Sequence, residues 1–153
     1  MDNNSVYTRD RLTWVMYVGI AYFAFLQAIV GPLMPFLREE LNLSYSVGAL
    51  HLSALAVGMI ITGVTSDPLV RRFGRRFLFW TGNFGMAAGA LLLITAQHPA
   101  LTITASLIMG IFGAQTMVIV QSALAVHHGA NSTTALTEAN VAASALAGLA
   151  PAA

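Results

Sequence analysis

The residues best placed to do chemistry are one carboxylate and four guanidinium groups in a short segment between two apolar runs. Asp67 is followed by four of the seven basic residues, Arg71, Arg72, Arg75 and Arg76. A carboxylate at a membrane edge needs a cation or a helix N-terminus beside it. These groups can therefore form ion pairs that hold one conformation and release it in another. The alternative is that the arginines only fix the topology and bind anionic lipid.

Glycines recur in and after this segment. Gly63 and Gly74 frame the arginines, and glycine allows close backbone approach, so we expect tight contacts at both positions. Gly82, Gly85 and Gly89 follow at helical spacing. Small residues on one helix face let a neighbouring helix pack closely in a membrane. This stripe therefore predicts a helix-packing face rather than a nucleotide-binding loop.

Polar side chains inside the apolar runs form a second set of candidates, because they are costly in lipid and usually face the bundle interior. Gln27 lies four residues after Phe23, and Gln115 seven residues before Ser122, so each pair shares a helix stripe. Amides and aromatics with few charges suit a neutral or amphipathic organic solute. The alternative is that the amides hydrogen-bond between helices and serve packing.

The histidines are the remaining candidates for proton or metal chemistry. His51 could handle protons, or could simply be satisfied by a neighbour. His127 and His128 are adjacent and do not share one helix face as ligands at i and i+4 would, so we expect no metal site. No carboxylate pair, triad or nucleophile with a base can be assembled, and there is no Cys. We therefore expect neither an enzyme nor a cofactor.

The composition places all these residues in a membrane protein. The 153 residues are 57% hydrophobic and 8% charged, with a mean hydropathy of +0.73, whereas soluble domains are roughly 25% charged. In lipid, backbone groups must be satisfied within each segment, and the runs lack the alternation of a barrel strand. An all-α polytopic fold follows. High Ala and Arg usage, without Lys, indicates a GC-rich bacterial genome.

The apolar runs predict four complete transmembrane helices and a fifth that ends with the chain. A polar tail, 1–11, precedes a helical bundle, 12–153. Pro32 and Pro35 should bend or loosen the last turns of the first helix, and Glu138 should complement the N-terminal dipole of the fifth. The predicted helices cover residues 12–37, 46–66, 76–96, 100–126 and 135–153.

The charges set the orientation. Six arginines fall on one side of the predicted bundle, whereas Arg38, beside Glu39 and Glu40, falls alone on the other. Positive charge accumulates in cytoplasmic loops. The N-terminus and the arginine-rich segment are therefore expected in the cytoplasm.

The segment from Gly63 to Arg76 resembles the signature loop between the second and third helices of the major facilitator superfamily. The family pattern is Gly, three residues and Asp, then a basic residue, Gly and two further basic residues. Gly63 and Asp67 hold the first spacing. The end of the pattern matches Arg72-Phe73-Gly74-Arg75-Arg76, after a four-residue expansion, 68–71.

Two further motifs are similar to family features. Pro32 and Pro35 near the end of the first helix resemble the Pro-x-x-Pro exit of many members, and Gly110 and Gly113 stand in the fourth helix. The resemblance implies part of the N-terminal six-helix half of a twelve-helix transporter, without its sixth helix, and a cavity lined by the first and fourth helices. It also implies that the Asp67 segment latches a gate against a helix of the other half.

The predicted function follows from this resemblance and from the length. We expect the N-terminal part of a major facilitator permease in a bacterial inner membrane, moving a small organic solute by alternating access. Its partners would be the lipid bilayer, the remaining helices of the transporter and the solute, with no nucleic acid. The alternative is a truncated, non-transporting subunit that packs against a larger membrane complex.

Overall fold

Five α-helices account for almost all of residues 7–150, which are the residues that the computed structural model describes. A single 3-10 turn, Gly129–Asn131, joins the last two helices, and no strand occurs within this range. The bounds are α1 Arg11–Glu40, α2 Tyr45–Phe73, α3 Arg75–Thr95, α4 Pro99–His128 and α5 Ser132–Leu149.

Local sequence explains where the helices begin. Asp10 and Ser44 accept hydrogen bonds from the backbone N–H groups three residues later, and so cap α1 and α2. Pro99 opens α4, where a missing N–H costs nothing.

The helices are long and apolar enough to cross a membrane, which confirms the predicted all-α polytopic class. Four helical segments meet this criterion, namely α1, α2, α3 and the continuous stretch from Pro99 to Leu149 that contains α4 and α5. The two prolines of α1 lie inside an unbroken helix that extends to Glu40. The expectation that they bend or loosen its last turns stays a prediction.

Helix α4 is the centre of the bundle. It packs along both α2 and α3, whereas α5 packs mainly along α1. Glycines allow these contacts: a Cβ placed on Gly110 would lie 2.1 Å from the Leu55 carbonyl oxygen of α2. On α3, Gly82 and Gly89 face Thr116 and Met109 of α4 in the same way. The predicted role of the α3 glycine stripe in helix packing is confirmed.

The arginine-rich segment is a helical corner rather than a loop. Helix α2 does not stop near Ser66 but accommodates Pro68 and continues to Phe73. Gly74 alone separates α2 from α3; its φ of +79° favours glycine, and its N–H donates to the Val70 carbonyl at 2.9 Å. We call the residues around this break the arginine-rich corner: Asp67, Arg71, Arg72, Gly74, Arg75 and Arg76.

The predictions about two glycines and about the helix bounds differ from the structure in detail, and some of them fall on residues outside the described range. A Cβ on Gly63 or Gly74 would meet nothing within 4 Å among residues 7–150, so the close contacts expected at these glycines do not occur within this range. The helices α4 and α5 each begin a little before the predicted residues. Residues 1–6 of the predicted tail and residues 151–153 of the predicted fifth helix lie outside the described residues.

Candidate functional site

The arginine-rich corner presents its charges to the surroundings. Arg71 and Arg72 lie in the last turn of α2, where cations interact favourably with the helix dipole. Arg75 and Arg76 open α3, where the dipole opposes them. Asp67 is exposed and forms no ion pair with any residue between 7 and 150. The carboxylate and the guanidinium groups of the corner are thus available to a group outside this set of helices.

Two of the corner arginines also line a crevice between α1, α3 and α4. The crevice has a volume of about 760 Å³, and Arg11 stands with Arg75 and Arg76 along its wall. Asp10, His127 and apolar residues of the three helices, including Phe79 and Trp80, form the remainder. The crevice therefore combines three arginines, a carboxylate and an imidazole with apolar walls.

The polar residues predicted for a solute cavity lie in different environments. Phe23 is buried against Gly113 of α4. Gln27, four residues later, is half-buried, and its amide nitrogen lies 3.8 Å from the Met59 sulfur of α2. Ser122 donates within its own helix to the Ile119 carbonyl. The Gln27 amide is thus held by a weak hydrogen bond to the Met59 thioether.

Gln115 and His51 are engaged between helices. The Gln115 amide nitrogen donates to the Leu78 carbonyl at 2.7 Å and to the Thr81 hydroxyl at 2.8 Å, both on α3. His51 is fully buried; its Nδ1 donates to the Val47 carbonyl, and its Nε2 lies 2.8 Å from Thr102 Oγ1 of α4. These bonds favour the packing alternative for both residues.

A polar cluster at the same end of the bundle was not found by sequence reasoning. It joins the segment before α1 to the end of α4 and the start of α5, and we call it the tail cluster. Its members are Tyr7, Arg9, Asp10, Thr13, Tyr17, His127, His128 and Glu138.

Glu138 is the acceptor at the centre of the first half of this cluster. Arg9 donates to both of its carboxylate oxygens, and the Tyr17 hydroxyl donates to Oε2 at 3.0 Å. The carboxylate raises the pKa of Arg9 through this hydrogen bond and its charge. Glu138 lies beyond the first turn of α5 and does not cap it, so the predicted dipole role is wrong.

Asp10 organises the second half. Its Oδ1 accepts from the Thr13 hydroxyl at 2.6 Å and from the Thr13 N–H at 2.9 Å, and its Oδ2 lies 2.8 Å from His127 Nε2. The hydrogen bond from the Thr13 hydroxyl is the main cause that lowers the pKa of Asp10 to about 2. The Asp10-x-x-Thr13 spacing is an N-cap pattern, which is the one signal in the sequence that pointed here.

An open groove runs between α1 and α3. It has a volume of about 560 Å³ and an almost wholly apolar lining. Trp14 and Trp80 are both about half exposed in it, at 55% and 48%. Its other lining residues come from the same two helices and include Val18, Tyr22, Phe84 and Ala87.

Comparison with known proteins agrees with this architecture. The family model of the Major Facilitator Superfamily matches residues 16–153, which span all five helices except the first turn of α1. The searches of curated proteins and of solved structures gave no match. The family match covers nearly the whole chain, and the helices have the length and composition of membrane spans. The chain therefore belongs to the major facilitator superfamily of membrane transporters and is a multi-pass membrane protein.

Proposed function

We propose that this chain contributes the N-terminal helices of a permease that moves a small organic solute by alternating access. The helix pairing is the observation that carries the proposal. In such transporters each six-helix half contains two three-helix repeats of inverted topology. Exchanging the repeats turns the α1–α5 pair into the α4–α2 pair, and both pairs are packed here.

The exchange of the two repeats also predicts which helix fills the open groove between α1 and α3. Exchanging the repeats turns the packing of α3 against α4 into the packing of a sixth helix against α1. The groove beside α1 is apolar, and residues 7–150 do not fill it. Exposed Trp14 on α1 and Trp80 on α3 line the two sides of the groove, which leaves an apolar surface for a further helix. We propose that the first of the remaining helices of the same transporter packs into this groove.

The solute is proposed to be neutral or amphipathic. Gln27 is the polar group of the α1 stripe with a weak partner, and Phe23 lies beside it one turn earlier. Replacing Gln27 by Leu, which is similar in size, should raise the KM of transport. Replacing Gln115 by Leu should instead act on stability, because that amide bonds to α3.

The arginine-rich corner is proposed as a gate latch. Asp67 and the arginines beside it are exposed and lack ion-pair partners among the described residues, so a helix of the second half can pair with them. Six arginines lie at this end and Arg38 at the other, which supports a cytoplasmic corner in a bacterial inner membrane. The same charges also suit anionic headgroups of the inner leaflet.

Uptake by the full-length protein in proteoliposomes, measured with a panel of solutes, tests the proposal. We expect uptake of at least one neutral or amphipathic solute, and we expect Asp67→Asn to lose most of it. Glu40→Gln is the matched control, since Glu40 is an exposed carboxylate at the opposite end. Unchanged uptake in Asp67→Asn would contradict the latch.

The rival function, a non-transporting membrane subunit, makes a different prediction for the gene. An open reading frame that continues past the Ala153 codon with roughly seven or eight further apolar spans supports the permease. A stop codon there, with co-purification of a larger membrane complex, supports the subunit. In that case the α1–α3 groove would be filled by a helix of the complex.

A further inference from the structure

We infer that the second half of the tail cluster is a binding site for a divalent transition-metal ion, with Asp10, His127 and His128 as protein ligands. This site is separate from the proposed solute path and does not depend on it. One donor atom from each of the three residues lies within 4.8 Å of the others. Two imidazoles and a carboxylate suit zinc, cobalt and nickel ions.

The fold brings together ligands that the sequence separates. His127 and His128 form the end of α4 beside the start of α1, with ring planes at 84° and centroids 4.8 Å apart. His127 Nε2 lies 2.8 Å from Asp10 Oδ2, and His128 Nε2 lies 2.8 Å from Thr13 Oγ1. The adjacent histidines therefore converge from different sides on the Asp10–Thr13 turn, which the helical-spacing argument did not anticipate.

The Asp10 carboxylate is already oriented so that one of its oxygens can bind an ion. Thr13 holds Oδ1 of Asp10 through its hydroxyl and its N–H, which leaves Oδ2 to face the histidines. Such hydrogen bonds to a ligand fix its orientation and tune its affinity. The capping role and the metal-binding role of Asp10 thus use different oxygens, and an ion need not displace the cap of α1.

The surroundings allow an ion to enter and complete its shell with water. The side chains of His127 and Asp10 are 41% and 43% exposed. Arg9, one of the two arginines that flank Asp10 in the sequence, is paired with Glu138. Arg11 lines the same crevice as Asp10 and His127 and opposes a second positive charge, so we expect moderate rather than extreme affinity.

Titration of the full chain with Co²⁺ tests the inference. The protein should be prepared in detergent without a polyhistidine tag, and the visible absorption bands of bound Co²⁺ followed to saturation. We expect a saturable signal that Zn²⁺ displaces. A chain that gives no saturable signal would overturn the inference.

Matched variants locate the site. Asp10→Ser keeps a capping oxygen for α1 and removes the carboxylate ligand, whereas His127→Gln removes an imidazole. Each should weaken Co²⁺ binding by roughly tenfold or more. His98→Gln, at the opposite end of α4, should leave binding unchanged. Unweakened binding in a His127→Gln, His128→Gln double variant that retains its helical circular dichroism would equally overturn the inference.

Discussion

Arg9 and Glu138 form a two-point ion pair although 129 positions separate them in the chain. The guanidinium uses two nitrogens on the two carboxylate oxygens, the geometry in which Arg differs most from Lys. The pair fastens the segment before α1 to α5. The start of α1 is thereby held from both sides, by α5 through Arg9 and by α4 through Asp10.

Removing the charge of Glu138 should loosen this attachment. We expect Glu138→Gln to lower the melting temperature of the chain in detergent more than Glu40→Gln, because Glu40 forms no ion pair with any residue between 7 and 150. Arg9→Lys should show part of the same loss, since a single ammonium does not match both oxygens. At about 1 M salt, where charges are screened beyond about 3 Å, the difference should shrink. Equal melting temperatures for the two glutamate variants would argue against the attachment.

The cap of α1 should make stability depend on acid pH. The pKa of Asp10 is about 2 in the folded chain, below its ordinary value of 3.8. The carboxylate therefore contributes its full stabilisation above 3.8 and loses it as the pH falls through about 2. The wild-type chain should melt above Asp10→Ser, which does not titrate, by a margin that is constant near neutral pH and narrows in acid. A margin that widens in acid would show the opposite sign.

The α2–α4 contact should not tolerate a side chain at Gly110. A Cβ there would lie 2.1 Å from the Leu55 carbonyl oxygen, and a backbone group cannot move aside cheaply. We expect Gly110→Ala to cost about 1–3 kcal/mol of unfolding free energy. Gly63→Ala on α2 is the control, because its Cβ would meet nothing within 4 Å. Denaturant titration of both variants measures the difference, and a neutral Gly110→Ala would contradict the packing.

Removing the hydrogen bond between the buried His51 and α4 should lower the free energy of unfolding. Thr102→Val keeps the shape of the side chain but removes the hydroxyl that contacts His51 Nε2. We expect a loss of about 0.6 kcal/mol and of no more than about 1.7 kcal/mol, the mean and the maximum measured for interhelical hydrogen bonds in a membrane protein. Thr104→Val removes an exposed hydroxyl that donates within α4 to the Ala100 carbonyl, and this change should be near neutral. Equal losses would place the effect within α4 instead.

The class of fold and its packing faces could be predicted because they depend on local pattern. Apolar runs of membrane-spanning length predict helices, and glycines at helical spacing predict a closely packed neighbouring helix. The end of α2 could not be predicted in this way, because arginines and Pro68 suggested a loop. A helix end is decided by backbone geometry, here the positive φ of Gly74, and that is weakly encoded in composition.

The candidate site was only partly predictable for a related reason. The spacing of Asp67 and the corner arginines is local and was readable from the sequence. The pairing of Arg9 with Glu138 and of Asp10 with His127 joins opposite ends of the chain, and it appears only once α1, α4 and α5 are placed side by side. Likewise, the direction of Gln115 depends on which neighbour α4 meets on that face, which is α3.

Cysteine labelling in whole cells tests most directly whether α2 crosses the membrane with the arginine-rich corner inside. The chain has no Cys, so single Arg72→Cys and Glu40→Cys variants carry unique labels at the two ends of the bundle. A membrane-impermeant maleimide should label position 40 in intact cells and position 72 only after permeabilisation. Labelling of position 72 in intact cells, or of both positions alike, would contradict the proposed topology and with it the cytoplasmic gate.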